Sequence, residues 1–199
     1  MALPSTQDAG LRGAVRLVAL LNLGYFGIEF AVAVAIGSVS LFADSVDFLE
    51  DASVNLLIAV ALGWTPRARA RLGMALAAIL LVPGLATIWT AWTKFMAPSV
   101  PAPLPLSVTG LGALAINLFC ALILASYRDH RGSLTRAAFL SARNDALANV
   151  AIIMAGMVTA LLWHSVWPDL IVGLGIMVLN ADAAREVWTA AREEHAAAP

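Results

Sequence analysis

Hydrophobic residues run along the chain in long blocks, with no alternation of period two, and polar residues gather into short connections between the blocks. Six apolar stretches can be marked, roughly residues 13–36, 38–63, 71–95, 104–127, 135–163 and 167–189. Each is near the ~20 residues that a helix rising 1.5 Å per residue needs to cross ~30 Å of hydrocarbon. The pattern predicts an all-α polytopic membrane protein, a bundle of six transmembrane helices. It also predicts the domain layout: an N-terminal segment at 1–12, a transmembrane domain at 13–193 and a short tail at 194–199.

Composition agrees. The 199 residues are 61% hydrophobic and 13% charged, against about a quarter charged in a soluble domain, and mean hydropathy is +0.84. A net charge of −1 leaves no basic surplus for a phosphate backbone, so nucleic acid is not an expected partner. Cys120 is the one cysteine; it has no internal disulfide partner, and no Cys/His cluster has the form of a structural zinc site.

Orientation follows from the arginines, because connections on the cytoplasmic side collect basic residues. Arg12 and Arg16, then Arg67, Arg69 and Arg71, then Arg128, Arg131 and Arg136, then Arg185 and Arg192 all fall on one side of the alternating spans. The opposite connections hold Gly37 and Ser38, a proline-rich segment with Lys94 at its edge, and HSVWPD. Both termini are therefore expected in the cytoplasm, and the first twelve residues do not read as a cleaved signal. Gly24, Gly27, Gly84, Gly112, Gly156, Gly173 and Gly175 suit close helix approach, Pro83 should kink span 3, and the tryptophans near span ends suit an interfacial belt.

Charges inside the spans carry the functional signal. Glu29, Asp44, Asp47, Glu50, Asp51 and Asp145 fall within predicted spans, with Arg143 as the single buried base, and each such group costs about 2.5 to 3.5 kcal/mol on insertion scales. Such residues usually face a water-filled cavity or a partner and mark an ion or proton path. In LFADSVDFLEDASVNLL, Asp44, Asp47 and Asp51 are three and four residues apart and share one helical face. A stripe of like charges is stabilised by a divalent cation or by shared protons. Asp44, nearest the outer end, is equally well read as a polar cap or gate. Counting from the span ends, Asp47 and Asp51 sit roughly 14 and 20 Å from the outer end, and Ser141 and Asp145 roughly 9 and 15 Å from the inner end. Across ~30 Å, Asp47 is level with Asp145 and Asp51 with Ser141, so two antiparallel helices can present one midplane site.

The run GSVSLFADSVDFLEDASVNLL, the upstream NLGYFGIEFAVA with Asn22 and Glu29, and FLSARNDALANVAII in span 5 together resemble the cation diffusion facilitator family of divalent-metal transporters. The resemblance implies that the transported metal is held by a pair of residues four apart on each of spans 2 and 5, here Asp47 with Asp51 and Ser141 with Asp145, and that protons drive efflux. Ser141 stands where the family has His or Asp, which moves the expected donor set toward oxygen and harder ions. Asp44, Asn144 and Glu29 are accessory candidates. The chain is expected to be a short form without the family's cytoplasmic C-terminal domain.

The resulting expectation is a non-enzymatic secondary transporter in a bacterial-type inner membrane. It would move a divalent cation (Zn, Co, Cd, Mn or Fe) as cargo, with no tightly bound cofactor and no catalytic residues. Its partners are metal ions, protons and lipid, with homodimerisation left open. The main alternative is a transport-inactive subunit or regulator derived from such a transporter; an organic-cation carrier and an intramembrane metalloenzyme fit the residues less well. Other polar positions have plainer readings: Asn55, Asn117 and Asn149 as helix-to-helix hydrogen bonders or water-lining groups, and His130, His164 and His195 as solvated. Glu50 and Arg143 are expected to form an ion pair between spans 2 and 5, with Asp182 as the alternative partner of Arg143.

Overall fold

The computed structural model describes residues 6–61, 85–126 and 133–197, with single positions at 68, 71 and 74. Among the described residues there are six helices and no strand: α1 (Thr6–Ile36), α2 (Val39–Ala61), α3 (85–96), α4 (Pro103–Ala125), α5 (Ser133–Leu161) and α6 (Trp167–Ala197). The ends of α2, α4 and α5 lie within two residues of the apolar blocks, while α1 begins seven residues before its block and α6 runs eight past its own. Gly10–Ile36, Pro103–Ala125 and Asn144–Leu161 are long and apolar enough to cross a membrane. Pro83, Gly84 and Trp64, and the side chains of Ser141, Arg143 and Asp182, lie outside the described residues.

α2 is the hub, packing against α1, α5 and α6 and touching α4; α4 and α5 pair closely, and α1 also meets α4. The surface is inverted relative to a soluble protein. Leu20, Leu122, Leu147, Leu161 and Trp89 are exposed, while Asn22, Glu29, Asp44, Asp47, Asp51, Asn55, Asn117 and Asn149 are buried. Lipid solvates the first set at no cost, whereas polar groups placed there would lose hydration without compensation.

Two apolar clusters bracket this polar interior. One joins Leu11, Val15 and Val18 of α1 to Ile58 and Ala59 of α2 and to Cys120, Ala121 and Leu124 of α4. The other joins Ala33 of α1, Leu41 and Ala43 of α2, Leu106 of α4, Ile152 of α5 and Ile176 of α6. On α1 and α2 the buried acids and amides, from Asn22 to Glu29 and from Asp44 to Asn55, fall between the two clusters. The polar layer thus lies between two apolar ones.

The chain reverses between α1 and α2 in a tight turn at Gly37, whose φ of 64° is a left-handed conformation that glycine adopts without penalty. Ser38 then caps α2, its Oγ accepting from the Leu41 amide at 3.1 Å, as an N-cap serine does for a first-turn amide. A carboxylate from α6 completes the cap. Asp169 accepts from the amides of Val39 (2.8 Å) and Ser40 (3.1 Å) and from the hydroxyls of Ser38 (2.7 Å) and Ser40 (2.6 Å). Lys94 of α3 lies 3.5 Å from Asp169 and donates to the Gly37 carbonyl. Negative charge thus sits at the start of α2 and positive charge at the end of α1, as the two helix dipoles favour.

This clamp gathers the α1–α2 turn, the end of α3 and the start of α6 at one end of the bundle, as the alternation of six spans requires. It is also the end poor in arginine. Close approach there depends on Gly173: a Cβ at that position would lie 2.7 Å from backbone atoms of Val39 and Ser40. The other expected packing glycines divide. Gly112 and Gly156 lie against Tyr25 and Ser107, but a Cβ at Gly24, Gly27 or Gly175 meets nothing within 4 Å among the described residues.

Candidate metal site

α2 positions the acids. Asp44, Asp47 and Asp51 lie at 0%, 8% and 8% exposure, so the whole stripe faces the protein interior, as the three-and-four spacing predicts. α5 supplies Asp145, half-buried. It lies within side-chain hydrogen-bonding reach of Asp51 and in electrostatic range of Asp44 and Glu50. Asp47 in turn faces Asp145 across the α2–α5 contact, with Asp44, Glu50 and Asp51 nearby. The structure therefore brings together Asp47, Asp51 and Asp145 as neighbours. Yet among the described residues no three His, Cys, Asp or Glu side chains are gathered closely enough to hold one ion.

The fourth expected contributor, Ser141, is on α5 one turn from Asp145, but its side chain lies outside the described residues, as does that of Arg143, so the Glu50–Arg143 pairing does too. Asn144 is exposed, in contrast to its neighbour Asp145. Glu29 of α1 and Asp44 are both fully buried and close enough to act on each other directly.

Two of the asparagines, Asn55 and Asn149, bond along their own helices. Asn55 donates its Nδ2 to the Asp51 carbonyl at 2.8 Å, and Asn149 donates its own to the Asp145 carbonyl at 2.7 Å. Each thereby bonds back along its own helix, one turn beyond a candidate ligand. The amide oxygens of both are buried and have no hydrogen-bond partner among the described residues. On α2 and α5 alike, the stripe of acceptors thus extends past the carboxylates. The residue spacing, four beyond each aspartate, was the signal; the hydrogen-bond direction was not readable without coordinates.

Sequence reasoning also passed over Asp169. It sits in the first turn of α6, where an acid reads as an ordinary helix-start residue, and its link to Ser38, Ser40 and Lys94 depends on contacts some 75 to 131 positions apart in the chain.

Residues 15–193 match the family of the cation efflux transmembrane domain. The chain belongs to the cation diffusion facilitator family. Its relatives include the zinc transporters ZitB of Yersinia pseudotuberculosis serotype I (strain IP32953) and of Yersinia pestis, each 25% identical over 170 residues, covering 79% of this chain and 53% of the relative. The chain spans about half the length of the curated relatives it matches. All six helices fall substantially within the matched region, and the acids of α2 and α5 lie in its interior.

Proposed function

We propose that the chain transports a divalent metal cation, by efflux in exchange for protons, with Asp47 and Asp51 of α2 and Asp145 and Ser141 of α5 as the cargo's ligands. The observation that carries this reading is the meeting of the Asp47–Asp51 stripe with Asp145 in a polar layer bounded by apolar clusters on both sides. Family membership and the zinc transporters among the relatives support metal as the cargo. Carboxylate and hydroxyl donors favour harder ions over those that prefer imidazole or thiolate.

The same groups account for proton coupling. Three carboxylates in a low-dielectric interior resist simultaneous ionisation, so they carry protons between cargo ions. A metal arriving from the cytoplasmic side binds only deprotonated ligands and therefore releases protons there. Rocking of helices about α2 then exposes the site to the other face, where protonation weakens the ligands and frees the ion. In this cycle Asp51 and Asp145 exchange partners: each other when the cargo is gone, the metal when it is present. The Asp51–Asp145 approach would be the proton-holding arrangement, and binding an ion would require Asp47 to close on the pair.

Flux in vesicles tests it. The chain is reconstituted with a metal-sensitive dye inside, Zn²⁺, Mn²⁺ or Cd²⁺ is added outside, and a pH gradient is imposed. Metal flux that depends on the gradient is expected, and Asp51→Ala and Asp145→Ala should each reduce it by at least ~10-fold, the effect of losing roughly 1.4 kcal/mol or more of ion stabilisation. Wild-type rates in Asp51→Ala would overturn the site, and absence of metal flux in the unaltered chain would leave the regulator reading in place of the transporter.

A further inference from the structure

Two carboxylates lie outside the set of four ligands. Glu29 is on α1 and Asp44 on α2, both at 0% exposure, and they sit within direct reach of each other. All four of their oxygens are buried, and among the described residues they meet no donor beyond each other. The hydroxyl next to them does not help. Tyr25, in electrostatic range of both acids, has already committed its proton to the Thr109 carbonyl at 2.6 Å. Its ring is held against buried Phe48, with centroids 5.1 Å apart.

Buried polar groups are nearly always satisfied, and a carboxylate without a donor carries its full desolvation cost. Two acids converging from different helices, with acceptors only, form an arrangement that a positive ion would complete. Its position adds to the case. By the helical rise, Asp44 and Glu29 lie roughly 9 and 12 Å from the α1–α2 turn, whereas Asp47 and Asp51 lie roughly 14 and 20 Å from it. Asp44 shares a helical face with Asp47 and Asp51, so an ion leaving the latter two toward that end meets Asp44 next.

We infer that Glu29 and Asp44 form a second, oxygen-only cation site, one station nearer the α1–α2 turn than the four-ligand site. Its cargo is a hard divalent cation, since carboxylate oxygens without nitrogen or sulfur donors select such ions. The inference rests on reading the chain as a metal-cation carrier. It adds that the ion crosses in two steps, passing from a site shared by α2 and α5 to one shared by α1 and α2, so that α1 takes part in transport.

Mn²⁺ is the probe. The full chain in lipid nanodiscs is titrated with Mn²⁺ and bound ions are counted by electron paramagnetic resonance. The double variant E29Q/D44N should bind one ion fewer per chain than the unaltered protein, and D47N/D51N should also bind one fewer while keeping the ion held by Glu29 and Asp44. E29D and D44E, which keep the charge, should retain the site. If E29Q/D44N does not remain monodisperse, E29Q alone is read instead, and at least a tenfold weaker affinity for the second ion is expected.

An unchanged count and affinity in the glutamine and asparagine variants would overturn the inference, as would a pair that takes up protons but no Mn²⁺. Loss of an ion in E29Q/D44N together with a normal count in D47N/D51N would instead sustain this site and reject the four-ligand one, so the two readings fail separately.

Discussion

Removing the Asp169 carboxylate should be the most damaging single change at the arginine-poor end of the bundle. In Asp169→Ala, the Val39 and Ser40 amides and the Ser38 and Ser40 hydroxyls lose their acceptor, and Lys94, 5% exposed, loses its counter-ion. Four hydrogen bonds to a charged acceptor at about 1.5–3 kcal/mol each would total more than any single residue delivers, because the freed groups relax and share partners. The range measured for breaking a buried ion pair from one side, about 3–5 kcal/mol, is the better guide. At ~2–4 °C per kcal/mol for a domain of this size, the midpoint of thermal unfolding should fall by roughly 6–20 °C.

Fluorescence-detected gel filtration after heating, in detergent or nanodiscs, reads that shift. Lys94→Met should cost less, about 1–3 kcal/mol, because Asp169 keeps its four donors. The double variant Asp169→Ala/Lys94→Met should be more stable than the sum of the two losses predicts, since it leaves no unpaired buried charge. A midpoint change under ~2 °C in Asp169→Ala would refute the idea that this carboxylate holds α2, α3 and α6 together, as that corresponds to less than about 1 kcal/mol.

Gly173→Val should destabilise by about 1–3 kcal/mol or more, because the added atoms meet backbone that cannot rotate aside, while Gly175→Ala, whose Cβ meets nothing within 4 Å among the described residues, should be neutral or stabilising; equal effects of the two in the same unfolding assay would contradict the packing described. Ser141→His should shift competition among metals toward Zn²⁺ and Cd²⁺, because imidazole suits the softer ions, and an unchanged order of preference in vesicle flux would mean that position 141 does not face the cargo. Neutralising Glu50 or Arg143 alone should lower folded yield or flux, and the charge-swapped pair should recover part of the loss; purely additive losses in that cycle would reject their pairing.

The helical, membrane-type architecture was legible along the chain because a membrane interior forces each span to satisfy its own backbone hydrogen bonds, whereas α1 and α6 run seven and eight residues past the ends read from the apolar blocks. That local requirement leaves an apolar run of fixed length wherever a helix crosses. The face of α2 that turns inward was legible for a related reason: three aspartates at intervals of three and four coincide on one side of a helix whatever the fold around it. Counting rise along antiparallel spans set Asp47 level with Asp145; that Asp145 comes within side-chain hydrogen-bonding reach of Asp51 did not follow from it.

What neighbours each of these groups meets was decided only by the packing of helices distant in sequence. The pairing of Glu29 with Asp44, the clamp of Asp169 on the start of α2 and the placing of Lys94 against it all join different helices, and no local spacing encodes the angle at which two helices meet. The same holds for the glycines. Gly173 and Gly175 stand two residues apart on α6, yet one faces the backbone of α2 while a Cβ at the other meets nothing within 4 Å among the described residues. Residue chemistry determined which positions could not face lipid, because the cost of burying charge in hydrocarbon is a property of the side chain alone; the partners that offset that cost exist only once the bundle has formed.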